Sequence, residues 1–192
     1  MILPQDFYFR DTETVAQELL GKVLHIRTRD EEQRARIVEV EAYLGVEDPA
    51  AHTFGDRRTT RTKSMYLDGG HSYVYMIYGM YYCLNVVTRT HEHPEAVLIR
   101  GLEPITGTKP SSKKDIRTNG PGKLCKFYDI TKDQDGIRLW KKNSELYVSD
   151  EGFSVTEKQV IKKPRIGVDY AGEAAQWPLR YYLKDNIFVS KK

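Results

Sequence analysis

The sequence predicts an α+β fold in a single compact domain spanning residues 1–192. Three observations carry that reading. A chain of 192 residues with 40% hydrophobic side chains is the right size to bury one core. Short runs rich in β-branched and aromatic residues outnumber helical segments. The two kinds of segment do not alternate in the strand–helix–strand order that builds a parallel sheet. No internal repeat appears, and no linker is long enough to divide the chain.

The elements follow in order. Asp11 or Thr12 caps a helix whose apolar stripe is Val15, Ala16, Leu19 and Leu20, and Gly21 ends it. Val23–Arg27 reads as a strand, Thr28–Arg34 as a polar turn, and Ala35–Tyr43 as a second strand. Thr59 or Thr60 caps a short helix through Met65. Ser72–Tyr78 and Tyr81–Thr88 form a hairpin joined at Gly79. Ala96–Arg100 is another strand. Thr106–Gly122, rich in Lys, Ser, Thr and Gly, reads as an exposed loop, and Pro121 opens a short helix through Phe127. Further strands are expected near Glu145–Val148, Gln159–Lys162 and Ile187–Ser190.

Composition excludes several classes. The net charge of +3 permits a polyanionic partner without requiring one. Two cysteines, Cys83 and Cys125, offer neither a disulfide framework nor metal-ligand spacing, and are expected as reduced thiols. Met1–Asp6 lacks the basic and apolar regions of a signal peptide, and no apolar run is long enough to cross a bilayer. A soluble, cytoplasmic protein is expected. The 13 tyrosines suit stacking on bases as well as core packing.

Alternation on the strand Arg36–Tyr43 puts Val38, Val40 and Ala42 on one face and Glu39, Glu41 and Tyr43 on the other. Two carboxylates beside an aromatic ring suit acid–base chemistry, and equally a wet face of a half-exposed strand. His52 lies on a loop just beyond. Arg57, Arg58, Arg61 and Lys63 can track phosphates or simply solvate a surface. In Tyr73–Tyr82, Tyr73 and Tyr75 share a face, while Tyr78 and Met80 fall near the hairpin tip. A projecting ring and thioether can wedge between base pairs, or fold back onto the core. Lys162, Lys163 and Arg165 offer further phosphate contacts. His91-Glu92-His93 lacks further ligands for a metal, and Gly120-Pro121-Gly122-Lys123 lacks the nucleotide-binding P-loop spacing.

Taken together, six ordered blocks resemble the alkyladenine DNA glycosylase family, the mammalian-type 3-methyladenine-DNA glycosylases. They are Val40–Gly45, Asp48–His52, Tyr73–Tyr81, Leu98–Pro104, Gly120–Cys125 and Arg165–Val168, and the resemblance covers almost the whole chain. It implies a curved, mostly antiparallel sheet flanked by short helices, with a protruding hairpin and no helix-hairpin-helix. It implies a base-excision-repair enzyme that flips alkylated or deaminated purines out of double-stranded DNA and hydrolyses the N-glycosidic bond. By the same resemblance Glu41 is the general base, and Arg100 with the Ile166 carbonyl holds the water. Tyr43 stacks on one face of the flipped base, with His52 and Tyr75 on the other. Asn85 disfavours guanine, and Tyr78 fills the vacated stack with Met80 beside it. No metal, no cofactor and no lyase step are implied. A bacterial monomer associated with the nucleoid is expected. The lysine-rich segment Thr106–Asn119 departs from longer family members, which leaves DNA contacts there open. Two other readings stand beside this one: an RNA-binding module of similar fold appended to transfer-RNA formyltransferases, and a hydrolase of free nucleosides or glycans using Glu39 and Glu41.

Overall fold

The computed structural model describes residues 1–28, 31–106 and 112–191. Helix α1 (Thr12–Leu19) starts where expected, with the Asp11 carboxylate accepting the Thr14 N–H at 2.9 Å. That bond satisfies one of the otherwise unpaired donors of a first helical turn. Val15, Ala16 and Leu19 are buried from this helix. The strands are β1 (Val23–Arg27), β2 (Glu32–Tyr43), β3 (Ser72–Ile77), β4 (Tyr81–Thr88), β5 (Glu95–Pro104), β6 (Leu146–Ser149), β7 (Val160–Lys163) and β8 (Arg180–Leu183). They form one curved sheet in the order β3-β4-β5-β2-β1-β6, with β8 pairing β2 and β7 pairing β8. Every pairing among the described strands is antiparallel. Helix α2 (Pro121–Phe127) carries Pro at its first turn and packs against β4 and β5.

The branching of β2 positions everything that follows. One edge of β2 pairs with β5 along most of its length. On the other edge Glu32–Arg36 pair with β1, while Glu39–Glu41 pair with β8. The register against β5 slips between Ile37 and Val40, the kind of irregularity that bends a strand. At that bend Gly101 has no room for a side chain. A Cβ there would lie 2.8 Å from the Phe188 carbonyl oxygen and 3.1 Å from the Glu39 Cβ.

Several expectations are corrected. Ile187–Ser190 is turn and bend rather than strand. The Phe188 N–H is taken by the Asn186 side chain and the Ser190 N–H by Glu39, so neither serves a ladder. The strand near the C-terminus is instead β8, which the sequence reading missed. The helix expected from Thr59 or Thr60 is a 3₁₀ turn, Lys63–Tyr66, because Thr59 and Thr62 bond to each other in a preceding turn. β2 and β5 are longer than predicted. Of the turn Thr28–Arg34 and the loop Thr106–Gly122, residues 29, 30 and 107–111 lie outside the described residues. Cys83 and Cys125 are buried and unpaired. Among the described residues no helix is long and apolar enough to cross a membrane.

Gly101→Ala is expected to destabilise the fold by ~1–3 kcal/mol, since the clash is with backbone that cannot rotate away. Urea titration checks this. An unchanged midpoint would mean that the segment around Phe188 yields freely.

Candidate active site

Val38, Val40 and Ala42 point into the core, and Glu39 and Glu41 face the other way, as alternation requires. That second face is not wet. Glu39 and Glu41 are both 0% exposed: Arg180 and Ser190 cover Glu39, while Arg100, Ile166 and Tyr43 enclose Glu41.

Glu41 is held by donors from three parts of the chain. Its Oε1 accepts the main-chain N–H of Ile166 at 2.7 Å. Its Oε2 accepts Arg100 Nη1 at 3.2 Å and the Tyr43 hydroxyl at 3.0 Å. Burial pushes the Glu41 carboxyl above the usual carboxylate range, opposed by Arg100, the Ile166 N–H and the Tyr43 hydroxyl. A carboxylate so placed is a poorly hydrated base with an arginine at its side.

Glu41 sits just behind the wall of a cavity of about 330 Å³, and all three of its donors, Tyr43, Arg100 and Ile166, line that cavity. His52, Tyr75, Asn85 and Tyr78 line it too. A volume of this order lies within the ~300–1,000 Å³ typical of small-ligand sites. The walls are mainly aromatic. His52 meets Tyr75 edge-on at 4.6 Å, and Tyr73 lies 5.2 Å from Tyr75. His52 Nδ1 and the Tyr73 hydroxyl share a hydrogen bond of 3.0 Å. Burial lowers His52 to about 4, with Arg61 and Arg57 acting in the same direction. The imidazole is therefore neutral near pH 7. Asn85 is fixed by donating Nδ2 to the Tyr73 carbonyl at 3.0 Å.

Tyr78 is 87% exposed and Met80 67% exposed at the tip of the β3–β4 hairpin. The turn is closed by Met80 N–H to the Ile77 carbonyl at 3.2 Å. Both central residues lie in the left-handed region, Tyr78 at φ +51° and Gly79 at φ +69°. This conformation matches the twist of a tight hairpin, but a tyrosine adopts it at a cost. A bulky ring held out in water by strained backbone is the opposite of a residue folded back onto the core.

The predicted cations divide. Arg57, Arg58, Arg61 and Lys63 are exposed; Arg61 lies over the Tyr75 ring at 4.8 Å and donates to the Met76 carbonyl at 3.3 Å, whereas Arg58 and Lys63 line a separate cleft. Arg58 is paired with Asp56 and Glu92. Lys162 and Lys163 are exposed. Arg165 is a correction: it is buried, and its Nη2 donates to Asp48 Oδ1 at 2.8 Å, which leaves it unable to reach a phosphate. That pair instead ties the loop carrying His52 to the segment carrying Ile166.

Two larger clefts hold none of the residues predicted for catalysis or base binding: one of about 680 Å³ beside the end of α1, with the Lys22–Asp150 pair, and one of about 800 Å³ lined by Arg58, Lys63 and Tyr66. The aromatic cavity is therefore the candidate site.

The chain has relatives among known proteins. It matches the family described as methylpurine-DNA glycosylase (MPG) over residues 6–187. The chain belongs to the methylpurine-DNA glycosylase family. It is similar to a Bdellovibrio bacteriovorus protein bearing a 3-methyladenine DNA glycosylase name, 71% identical over 192 residues and covering 100% of both chains. A Clostridium perfringens protein with the same kind of name is 44% identical over 206 residues, again with 100% of both chains covered. Another from Clostridium novyi is 46% identical over 204 residues, covering 99% of this chain and 98% of the relative. Membership of the methylpurine-DNA glycosylase family makes the chain a DNA-repair hydrolase of N-glycosyl bonds.

Sequence reasoning missed two parts of this site. The Asp48–Arg165 pair joins two of the matched blocks, and the only signal was a lone acid and a lone base within them. Tyr170, 70% exposed, lines the cavity with its hydroxyl donated to the Ala50 carbonyl at 3.1 Å. An aromatic residue two positions after Val168 was the available clue.

His52 is expected to titrate with a midpoint near 4 by NMR, against ~6.5 for an ordinary imidazole. Because an unfolded chain takes that proton first, this residue subtracts stability as pH falls from ~6.5 towards its folded value. A folded-state midpoint of 6 or higher would mean that the ring is open to water.

Proposed function

We propose that this chain flips an alkylated or deaminated purine out of duplex DNA, seats it in the aromatic cavity, and hydrolyses its N-glycosidic bond with a Glu41-activated water. Free base is released and an abasic site remains. The observation that carries this reading is one arrangement: a buried carboxylate tied to three groups of an aromatic wall, beside an exposed tyrosine that borders the same cavity.

Cleavage of a glycosidic bond builds positive charge on the sugar as the base departs. A carboxylate behind the wall stabilises that charge and accepts the proton of the attacking water. Water reaches Glu41 Oε2 by displacing the Tyr43 hydroxyl, the one donor of the three that can swing without moving backbone or breaking an ion pair. Arg100 and the Ile166 main chain, its carbonyl included, then hold the water. The base lies between Tyr43 and the His52–Tyr75 pair. A methylated purine is cationic, so it favours electron-rich rings and a histidine that carries no charge of its own. Asn85, immobilised by Tyr73, makes a fixed obstacle to the exocyclic amino group of guanine. Tyr78 enters the minor groove and fills the gap left by the flipped nucleotide, with Met80 flanking it. The exposed cations near Arg57–Lys63 face phosphates. The described residues lining the cavity include no lysine, which supports simple hydrolysis over Schiff-base chemistry.

The paired-carboxylate alternative is disfavoured, because Glu39 spends its oxygens on Arg180 and Ser190. A binding module without catalysis would have no use for a carboxylate buried at the cavity wall.

Glu41→Gln should retain binding to lesion-containing duplex and lose ~10²–10⁴-fold in single-turnover base release. Undiminished release would remove Glu41 from the mechanism. In the parent protein, release of a cationic lesion should fall with acidification through a midpoint above the ordinary Glu value of ~4.3, since a protonated Glu41 cannot act as base. An acid limb at or below that value would contradict the raised carboxyl.

Tyr78→Asn separates stability from function. Asparagine tolerates the left-handed region, so the thermal midpoint should stay the same or rise, while affinity for lesion DNA drops. Equal affinity would rule out the wedge.

A further inference from the structure

Glu39 is as deeply buried as Glu41 but does not line the cavity, and the chemistry proposed above makes no use of it. Its surroundings are unusually complete. Oε1 accepts Arg180 Nη1 at 2.9 Å and the Ser190 hydroxyl at 2.9 Å, and lies 3.5 Å from Arg100 Nε. Oε2 accepts the Ser190 N–H at 2.6 Å. Arg100 in turn reaches Glu41 with Nη1 at 3.2 Å and the Ser190 hydroxyl with Nη2 at 3.4 Å. The four buried charges, Glu39, Glu41, Arg100 and Arg180, cancel.

Arg180 does more than neutralise Glu39. Its Nε donates to the Pro164 carbonyl at 3.0 Å, two residues before the Ile166 N–H that binds Glu41. Its Nη1 also donates to the Lys191 carbonyl at 2.7 Å. Arg100 Nε makes no hydrogen bond, so Glu39 reaches that guanidinium by charge at 3.5 Å and through the Ser190 hydroxyl, and it reaches the 164–166 segment on the other side of Glu41 through Arg180.

We propose that Glu39 is a positioning residue for N-glycosyl hydrolysis, aligning Arg100 and the 164–166 segment on Glu41 through Arg180 and Ser190. The proposal rests on Glu41 being the base. Without the Glu39 charge, Arg180 and the Ser190 hydroxyl lose the acceptor that places them, so neither the 164–166 segment nor the hydroxyl that receives Arg100 Nη2 is held in register with Glu41. Misplacing a group by about 1 Å from the reacting atoms can cost on the order of a hundredfold in rate.

The test is single-turnover base release from a lesion-containing duplex at saturating enzyme, with lesion-DNA affinity measured alongside. Glu39→Gln keeps the shape of the side chain and removes its charge. Release should fall roughly tenfold to a hundredfold, with affinity changed less than about twofold. The deciding measurement is a cycle with Arg100→Lys. If Glu39 acts through Arg100, Glu39→Gln should cost little further in the Arg100→Lys background. Equal, multiplying losses in both an Arg100→Lys and an Arg180→Lys background, or no loss in the single variant, would overturn the proposal. Should Glu39→Gln fail to fold, Ser190→Ala replaces it in the same cycle, removing only the hydroxyl that bridges Glu39 and Arg100. Glu41→Gln is measured in parallel. Full release by that variant overturns the base assignment itself, whereas loss in Glu41→Gln with none in Glu39→Gln overturns only the positioning role.

Discussion

Two carboxylates buried two residues apart on one strand are the constraint to which the rest of this structure answers. Taking an ion out of water costs several kcal/mol even after relaxation, and that cost is recovered only when partners sit in good geometry with the remaining lone pairs satisfied. Glu39 and Glu41 are served by two arginines from two other strands, a tyrosine, a serine and two main-chain N–H groups, with the buried Arg100 Nε left without a hydrogen bond. β5 must run beside β2 to deliver Arg100, and β8 must pair with the far half of β2 to deliver Arg180. The glycine at 101 lets the Phe188 backbone come close enough for Ser190 to arrive. The sheet therefore branches where the charges are.

The same network holds the proposed site rigid. The Asp48–Arg165 pair ties two loops to each other and the Glu39–Arg180 pair ties β8 to β2, so the walls around Glu41 are held from two sides. Within that frame one contact stands out as soft, the Tyr43 hydroxyl on Glu41, because its donor hangs on a side chain at the cavity surface. Tyr78 shares positive φ with a few other non-glycine residues, and at the hairpin tip that turn holds a large ring in solvent. Strained or exposed positions of this kind persist where a binding event makes use of them.

Much of this was legible in the sequence, for local reasons. The helix at Thr12, the hairpin around Gly79 and the opposite faces of β2 follow from caps, turn residues and side-chain alternation. The grouping of Tyr43, His52, Tyr75, Asn85, Arg100 and Ile166 was available only through resemblance, since no periodicity links residues so far apart. What stayed hidden depended on partners distant in the chain. β8 is a four-residue strand, Arg-Tyr-Tyr-Leu, without alternation, and it is a strand because β2 and β7 flank it. Arg165 looked like one more surface cation because nothing local announces that Asp48 will meet it. Glu39 looked like the wet side of a strand because its cover comes from residues 180–190.

That long reach has a consequence for how the molecule comes into being. Glu39 and Arg180 are separated by 141 positions in the chain. During synthesis at ~5–20 residues per second, the acid would wait on the order of ten seconds for its counter-ion to be made. Until then the middle of β2 cannot bury itself without stranding one negative charge, since Arg100 alone faces two carboxylates, so its far half has reason to stay hydrated while the hairpin and α1 assemble. Closure of the pocket is in this sense a late event, timed by the appearance of one arginine.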